Sequence, residues 1–244
     1  MDILDKIQDR NSVAWLKLCE YVDKLAKNNS KEFAPYEELG SELYSQIYTL
    51  PPSISKLKSV EKIWLYGSSL KWIPPEIGKL ENLEYFDPYT SYNLHWFPYE
   101  ITYCKKMKDS RVSTRALYGN YKNRMRFPDL TYNPVRYFGE KVKCSVCKKE
   151  MEYTETNQLW ITLRVGTDDL PLLVNVCSDG CMNSLPKPRE GYVQYAHKGG
   201  KGLQQPTMEE WERAHVKRIP LEECEIDKPV KLKPLKLIRK IWDK

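Results

Sequence analysis

Cys144-Ser145-Val146-Cys147 and Cys177-Ser178-Asp179-Gly180-Cys181 are the residues best suited to chemistry in this chain. Two close cysteine pairs are separated by two strand-like runs, Leu159 to Val165 and Leu172 to Val176, with a turn at Gly166-Thr167-Asp168-Asp169. A tight turn presents one pair, and the first turn of a helix, from Asp179 to Leu185, presents the other. Four thiolates placed in this way match the tetrahedral sulfur set of a structural zinc ion, which leaves no open position for water. A helix N-terminus favours thiolate at the second pair. Lys141, Lys143, Lys148 and Lys149 flank the first pair and are expected to offset the net negative charge of the centre. The alternatives are a redox-active thiol pair or unliganded buried cysteines. Of the spare cysteines, Cys19, Cys104 and Cys224, the second occupies a leucine slot and reads as a packed small hydrophobe.

Upstream, one phrase recurs. Leu50-Pro51-Pro52-Ser53-Ile54, Ile73-Pro74-Pro75-Glu76-Ile77 and Phe97-Pro98-Tyr99-Glu100-Ile101 repeat with prolines at 51, 74 and 98, a period of 23 and then 24 residues. Each copy is followed by apolar residues, such as Leu57, Val60, Ile63, Leu65 and Leu70 in the first. One coil of this length cannot bury its own apolar face, so coils stack, share a core, and need caps at both ends.

Residues 50–120 resemble leucine-rich repeats of the bacterial and plant form L-P-x-x-I-x-x-L-x-x-L, over under a third of the chain. Ser68, Ser91 and Arg115 stand where that family has a turn asparagine. Residues 142–185 resemble a treble-clef zinc finger, with three residues rather than two between the second cysteines. The first resemblance implies protein recognition; the second implies a scaffold with no fixed function. The expected fold is therefore α/β: a short solenoid with an N-terminal helical cap, then a small zinc-binding α+β module. The expected divisions are 1–49, 50–130 and 131–244, with a boundary near residues 121–140.

In the coils, a strand from Val60 to Tyr66 would point Val60, Ile63 and Leu65 inward and Lys62, Trp64 and Tyr66 outward. The same offsets expose Tyr85, Asp87 and Tyr89, and then Asp109, Arg111 and Ser113. Trp64, Tyr66, Tyr85, Asp87, Tyr89 and Arg111 form the candidate partner-binding set, because Trp, Tyr and Arg are common interface anchors. The alternative is that the aromatics are covered by a neighbouring segment of the same chain.

The two N-terminal helices read as a cap, and the 185–206 segment as an ordered loop packed on the finger. Residues 3–27 look helical, with Leu16, Leu18, Cys19, Val22 and Leu25 at three- and four-residue steps and Asn11 or Ser12 at the start. Pro35 opens a second helix lined by Leu39, Leu43 and Ile47. Residues 185–206 form a Pro- and Gly-rich loop, and Thr207-Met208-Glu209-Glu210 is a capping box for a helix to about Lys217, with His215 on its surface.

The net charge of +6 is carried by residues 228–244, which hold seven Lys or Arg and one Asp, so the rest of the chain balances. That amphipathic tail leaves nucleic acid as a second partner class, to set beside a solvated edge strand or helix. No apolar run approaches the ~20 residues of a membrane helix, and the first residues lack a secretory signal. We expect a cytoplasmic protein with no membrane partner. His95, His197 and His215 are scattered, and no nucleophile has a base beside it, so no enzyme is expected. The expected function is a non-enzymatic binding protein: a bacterial immunity or neutralising protein, or an adaptor.

Overall fold

The computed structural model describes residues 8–137 and 139–215. Helix α1 (Val13–Lys27) begins where Ser12 accepts the Trp15 N–H at 3.3 Å. Residues 8–12 are therefore not helical; there Gln8 instead accepts the Tyr48 N–H at 2.7 Å. Its buried stripe is Ala14, Leu18, Tyr21, Val22 and Leu25, the spacing of one helical face. Leu16 lies on the opposite side and is exposed, contrary to expectation. Helix α2 (Pro35–Tyr44) is interrupted at Gly40, whose φ of 71° leaves the helical region. Ile47 is buried beyond its end.

Between the helices, β1 (Glu32–Phe33) joins a parallel sheet with β2 (Lys62–Trp64), β3 (Tyr85–Asp87) and, after β4 (Phe97–Pro98), β5 (Asp109–Ser110). Lys62 pairs with Tyr85 and Tyr85 with Asp109, so the register advances by the 23- and 24-residue period of the proline phrase. The segment expected only to cap the repeats thus supplies their first strand, and Phe33 is fully buried.

The proline phrases fold as 3-10 turns, Pro52–Lys56, Pro75–Lys79 and Tyr99–Tyr103. They pack so closely that a Cβ on Gly78 would lie 2.4 Å from the Glu100 carbonyl oxygen, so only glycine fits there. Between turns and strands lie Ile54, Leu57, Val60, Ile63, Ile77, Leu80, Leu83 and Phe86, all essentially inaccessible. Serines satisfy the buried corners. Ser68 and Ser91 Oγ are 2.6 Å apart, and Ser91 donates to the Leu65 carbonyl at 3.0 Å. Ser113, not Arg115, completes this row by accepting the Thr90 N–H at 2.8 Å. Ser113 is consequently buried rather than exposed.

The far end of this core is closed by a long hairpin, β8 (Asn157–Val165) and β9 (Asp168–Val176), paired along its whole length from Asn157↔Val176 to Val165↔Asp168. One face of the hairpin sends Ile161, Leu163, Val165, Leu170, Leu172 and Val174 into the core of the repeats. The other sends Trp160 and Leu173 into a second cluster with Trp72, Trp96, Tyr118, Phe127, Leu130 and Val135. β4 runs parallel to β9, pairing Phe97 with Leu172. The stretch expected as a domain boundary, 121–140, therefore contributes buried residues to a shared core. β6 (Lys141–Lys143) and β7 (Glu150–Glu152) form a short antiparallel ribbon before the hairpin, and α3 (Asp179–Asn183) follows it.

The loop over 185–206 packs along β8: His197 and Trp160 exchange backbone hydrogen bonds at 2.7 and 3.0 Å. Helix α4 (Met208–His215) starts with the expected box, Glu210 N–H to Thr207 Oγ1 at 3.2 Å and Thr207 N–H to Glu210 Oε2 at 2.6 Å. His215 is not a surface residue: it stacks on Trp211 at 4.2 Å and lies 3.5 Å from Asp169. No helix among the described residues is long and apolar enough to cross a membrane. The basic tail and Cys224 lie outside the described residues.

Burial holds His197 neutral, lowering its pKa from 6.5 to about 4. Between those values the unfolded chain binds a proton that the folded chain refuses, so stability falls as pH drops below about 6.5. The expected loss from His197 between pH 7 and 4.5 is about 2 kcal/mol. Denaturant titrations should show this slope in the wild type. It should flatten in His197→Gln, whose side-chain oxygen can still accept the Gly199 N–H.

Candidate metal centre and sheet face

β6 leads directly into Cys144, and the chain reverses before β7. Cys144 N–H donates to the Lys149 carbonyl at 2.8 Å and Lys148 N–H to the Cys144 carbonyl at 3.0 Å. Lys148 takes a positive φ of 67° to close the turn. The end of β9 delivers Cys177. Ser178 then caps α3 by accepting the Cys181 N–H at 3.3 Å, which turns Cys181 back towards Cys177.

The four sulfurs converge. All lie within 4.8 Å of one another, with Cys147–Cys177 and Cys177–Cys181 at 3.5 Å. Sulfurs ~2.3 Å from a tetrahedral ion sit about 3.8 Å apart, so this spacing suits one shared ion. It is far longer than the ~2.05 Å of a disulfide. The donor set therefore fits a structural metal.

Their surroundings pull two of the thiols in opposite directions. Burial pushes Cys144 up, but N–H groups of Cys147, Val146 and Cys177 outweigh it and bring the thiol down to about 6. Cys177, hydrogen-bonded to Cys147 and Cys181, is pushed up to about 12. A divalent cation removes this conflict by pairing with every thiolate. Of the flanking lysines, Lys141 is engaged elsewhere, pairing with Glu150 at 3.1 Å and Glu152 at 3.8 Å.

Sequence alone gave no sign of the residue that ties this centre to the repeats. Ser145, fully buried between the first two cysteines, donates its N–H to the Asn175 carbonyl at 2.6 Å and accepts the Asn175 N–H on Oγ at 3.0 Å. Its Oγ donates to Glu100 Oε1 at 2.7 Å, and its carbonyl accepts from Tyr103 OH and, at 3.1 Å, from Lys148 Nζ. Glu100 and Tyr103 belong to the third 3-10 turn. Burial pushes the Glu100 carboxyl up to about 7. Glu100 was hidden because the matching Glu76 of the preceding copy reads as an ordinary polar position.

On the strand face, Trp64 and Tyr85 rings meet at 4.8 Å, and Trp64 Nε1 donates to Glu32 at 3.1 Å. Both are half-buried. Tyr66 and Tyr89 meet at 6.1 Å and are open, 58% and 40% exposed. Arg111 lies 4.9 Å over the Tyr89 ring. Asp87, expected on the open face, is instead buried. It accepts the Tyr85 hydroxyl and the Tyr89 N–H at 3.0 Å each and lies 3.7 Å from Arg111. Its place is to orient its neighbours, and those bonds cover it.

No protein-family model matches the chain, and a search of curated proteins found no match.

The wild-type chain should carry one metal ion per molecule by native mass spectrometry. The Cys147→Ser/Cys181→Ser variant should carry none and lose several kcal/mol, since binding energy at such sites is folding energy. A wild type that binds no metal would contradict the assignment.

Proposed function

We propose that this chain is a non-catalytic protein-binding module built on a leucine-rich-repeat solenoid. Its parallel-sheet face captures a protein partner, and a treble-clef-like module holding structural zinc braces its far end. The 23- and 24-residue strand register and the proline-led 3-10 turns support the repeat assignment. Zinc is favoured for the metal because four thiolates with no open position suit its closed tetrahedral sites.

The observation that carries the binding reading is the exposed pair Tyr66 and Tyr89, with Arg111 against the second ring. Rings held out of the core by a rigid sheet present large area at low entropic cost. Trp64 and Tyr85 continue the patch inward, while Asp87 supports it from beneath. A neutraliser of the immunity-protein type, acting in the cytoplasm, would use such a face to cover another protein's working surface. The alternative, nucleic-acid binding through the finger lysines and the basic tail, makes affinity fall steeply with salt.

Tagged wild type and Tyr66→Ala/Tyr89→Ala should be compared by affinity purification from the native host and mass spectrometry. A specific protein should be captured by the wild type and reduced about thirtyfold with the variant, the effect of a 2 kcal/mol anchor. Both side chains are open, so melting temperature should hardly change. Equal capture by the two would defeat the reading. Gel shifts at low salt that persist in the variant would move the assignment to nucleic acid.

A further inference from the structure

The four sulfurs of the cysteine centre differ in access. Cys144 is fully buried, Cys177 and Cys181 are half-buried, and Cys147, on the turn between β6 and β7, is exposed. A small oxidant arriving from solvent therefore meets the Cys147 sulfur first. Cys177 Sγ lies 3.5 Å from it. Closing that gap to the ~2.05 Å of a disulfide takes a movement of about 1.5 Å. The rival contact, Cys177 to Cys181, is equally short, but both of its sulfurs are less open. Cys104 is shielded: it is buried and donates its S–H to the Ile77 carbonyl at 3.3 Å.

The two pairings differ in what they hold together. Cys147 and Cys177 are 30 positions apart, one on the turn after β6 and one at the end of β9. These are the same two segments that a shared ion would join. Cys177 and Cys181 are 4 positions apart, across the start of α3. A crosslink constrains the unfolded chain more when it closes a longer loop. A Cys147–Cys177 bond thus keeps the ribbon on the hairpin, whereas a Cys177–Cys181 bond leaves it untied.

We propose that Cys147 is a peroxide-reactive site with Cys177 as its resolving partner, and that oxidation exchanges a metal clamp for a covalent one. The Cys147 thiolate attacks hydrogen peroxide: an S–O bond forms, the O–O bond breaks, and the departing hydroxide takes a proton to leave as water. The Cys177 thiolate then displaces hydroxide from the Cys147 sulfenic acid, forming the S–S bond. In sum, two thiols and one hydrogen peroxide give one disulfide and two waters. A disulfide sulfur is no longer an anionic donor, so only Cys144 and Cys181 remain, half of a closed four-sulfur site. The disulfide rests on the sulfur geometry; the loss of metal rests on the shared-ion reading.

The test treats the zinc-loaded full-length chain with a small excess of hydrogen peroxide, blocks the remaining thiols by alkylation, and maps disulfides in unreduced peptides by mass spectrometry. Cys147–Cys177 should be the main product, with one zinc ion released per disulfide to a chromogenic chelator, and dithiothreitol should restore the thiols. The oxidised chain should melt above the reduced chain stripped of metal. Cys147→Ser should lose thiols to peroxide about tenfold more slowly. Circular dichroism shows whether that variant folds, and the wild-type map decides the matter if it does not. A main product of Cys177–Cys181 or Cys144–Cys147 would overturn the proposal. So would over-oxidation of Cys147 without a disulfide, or zinc that stays bound after the disulfide forms. Should the wild type bind no zinc, the metal reading falls, and the same map on the chain as purified still decides the disulfide.

Discussion

The constraint on which this structure depends is the open apolar end of a short parallel sheet. Each strand-and-turn unit covers the one before it, so the last leaves its own inner face bare. Here the β8–β9 hairpin lies across that face and buries Ile161, Leu163, Leu170 and Leu172 with Phe86, Phe97 and Ile101. The contact is fixed in register by polar groups. Ser110, which stands in the sheet beside Phe86, donates to Asp168 at 2.7 Å and to the Thr167 side chain through its N–H at 3.0 Å. Gly166 makes this turn possible, because at φ 57° a Cβ there would press on Ser110 Oγ at 2.8 Å.

The hairpin also explains why the cysteine centre sits where it does. β9 runs from the Ser110 contact at one end to Cys177 at the other, so closing the core and placing the second cysteine pair are one structural act. The first pair is brought to it by Ser145, whose hydrogen bonds reach both β9 and the third 3-10 turn. The proposed metal thus clamps two segments that each already touch the repeats. That arrangement suits a brace.

The legible parts of the chain were those with local signals. The proline period of 23 and 24 residues matches the strand register, because each unit repeats the same local phrase. The cysteine spacing marked four sulfurs that do converge. What stayed hidden depends on long-range packing. Glu32 and Phe33 carry no strand pattern longer than two residues, so β1 had no periodicity to reveal it. Leu16 was misassigned because a helix with a leucine on each side gives two overlapping stripes, and only docking selects one. Asp87 alternates with exposed residues, yet hydrogen bonds from Tyr85 and Tyr89 draw it inward. His215 looked exposed because Asp169, its neighbour in space, lies 46 positions away along the chain.

The central claim is that repeats and cysteine module fold as one unit, held by the hairpin and the Ser145 contacts. Hydrogen exchange with mass spectrometry, before and after metal removal with a chelator, tests it most directly. Amides of β2 and β3 should lose protection together with those of β6 to β9, at one common opening free energy. If β2 and β3 kept their full protection while the cysteine ribbon and hairpin exchanged freely, the unit would be two, and the account would be contradicted.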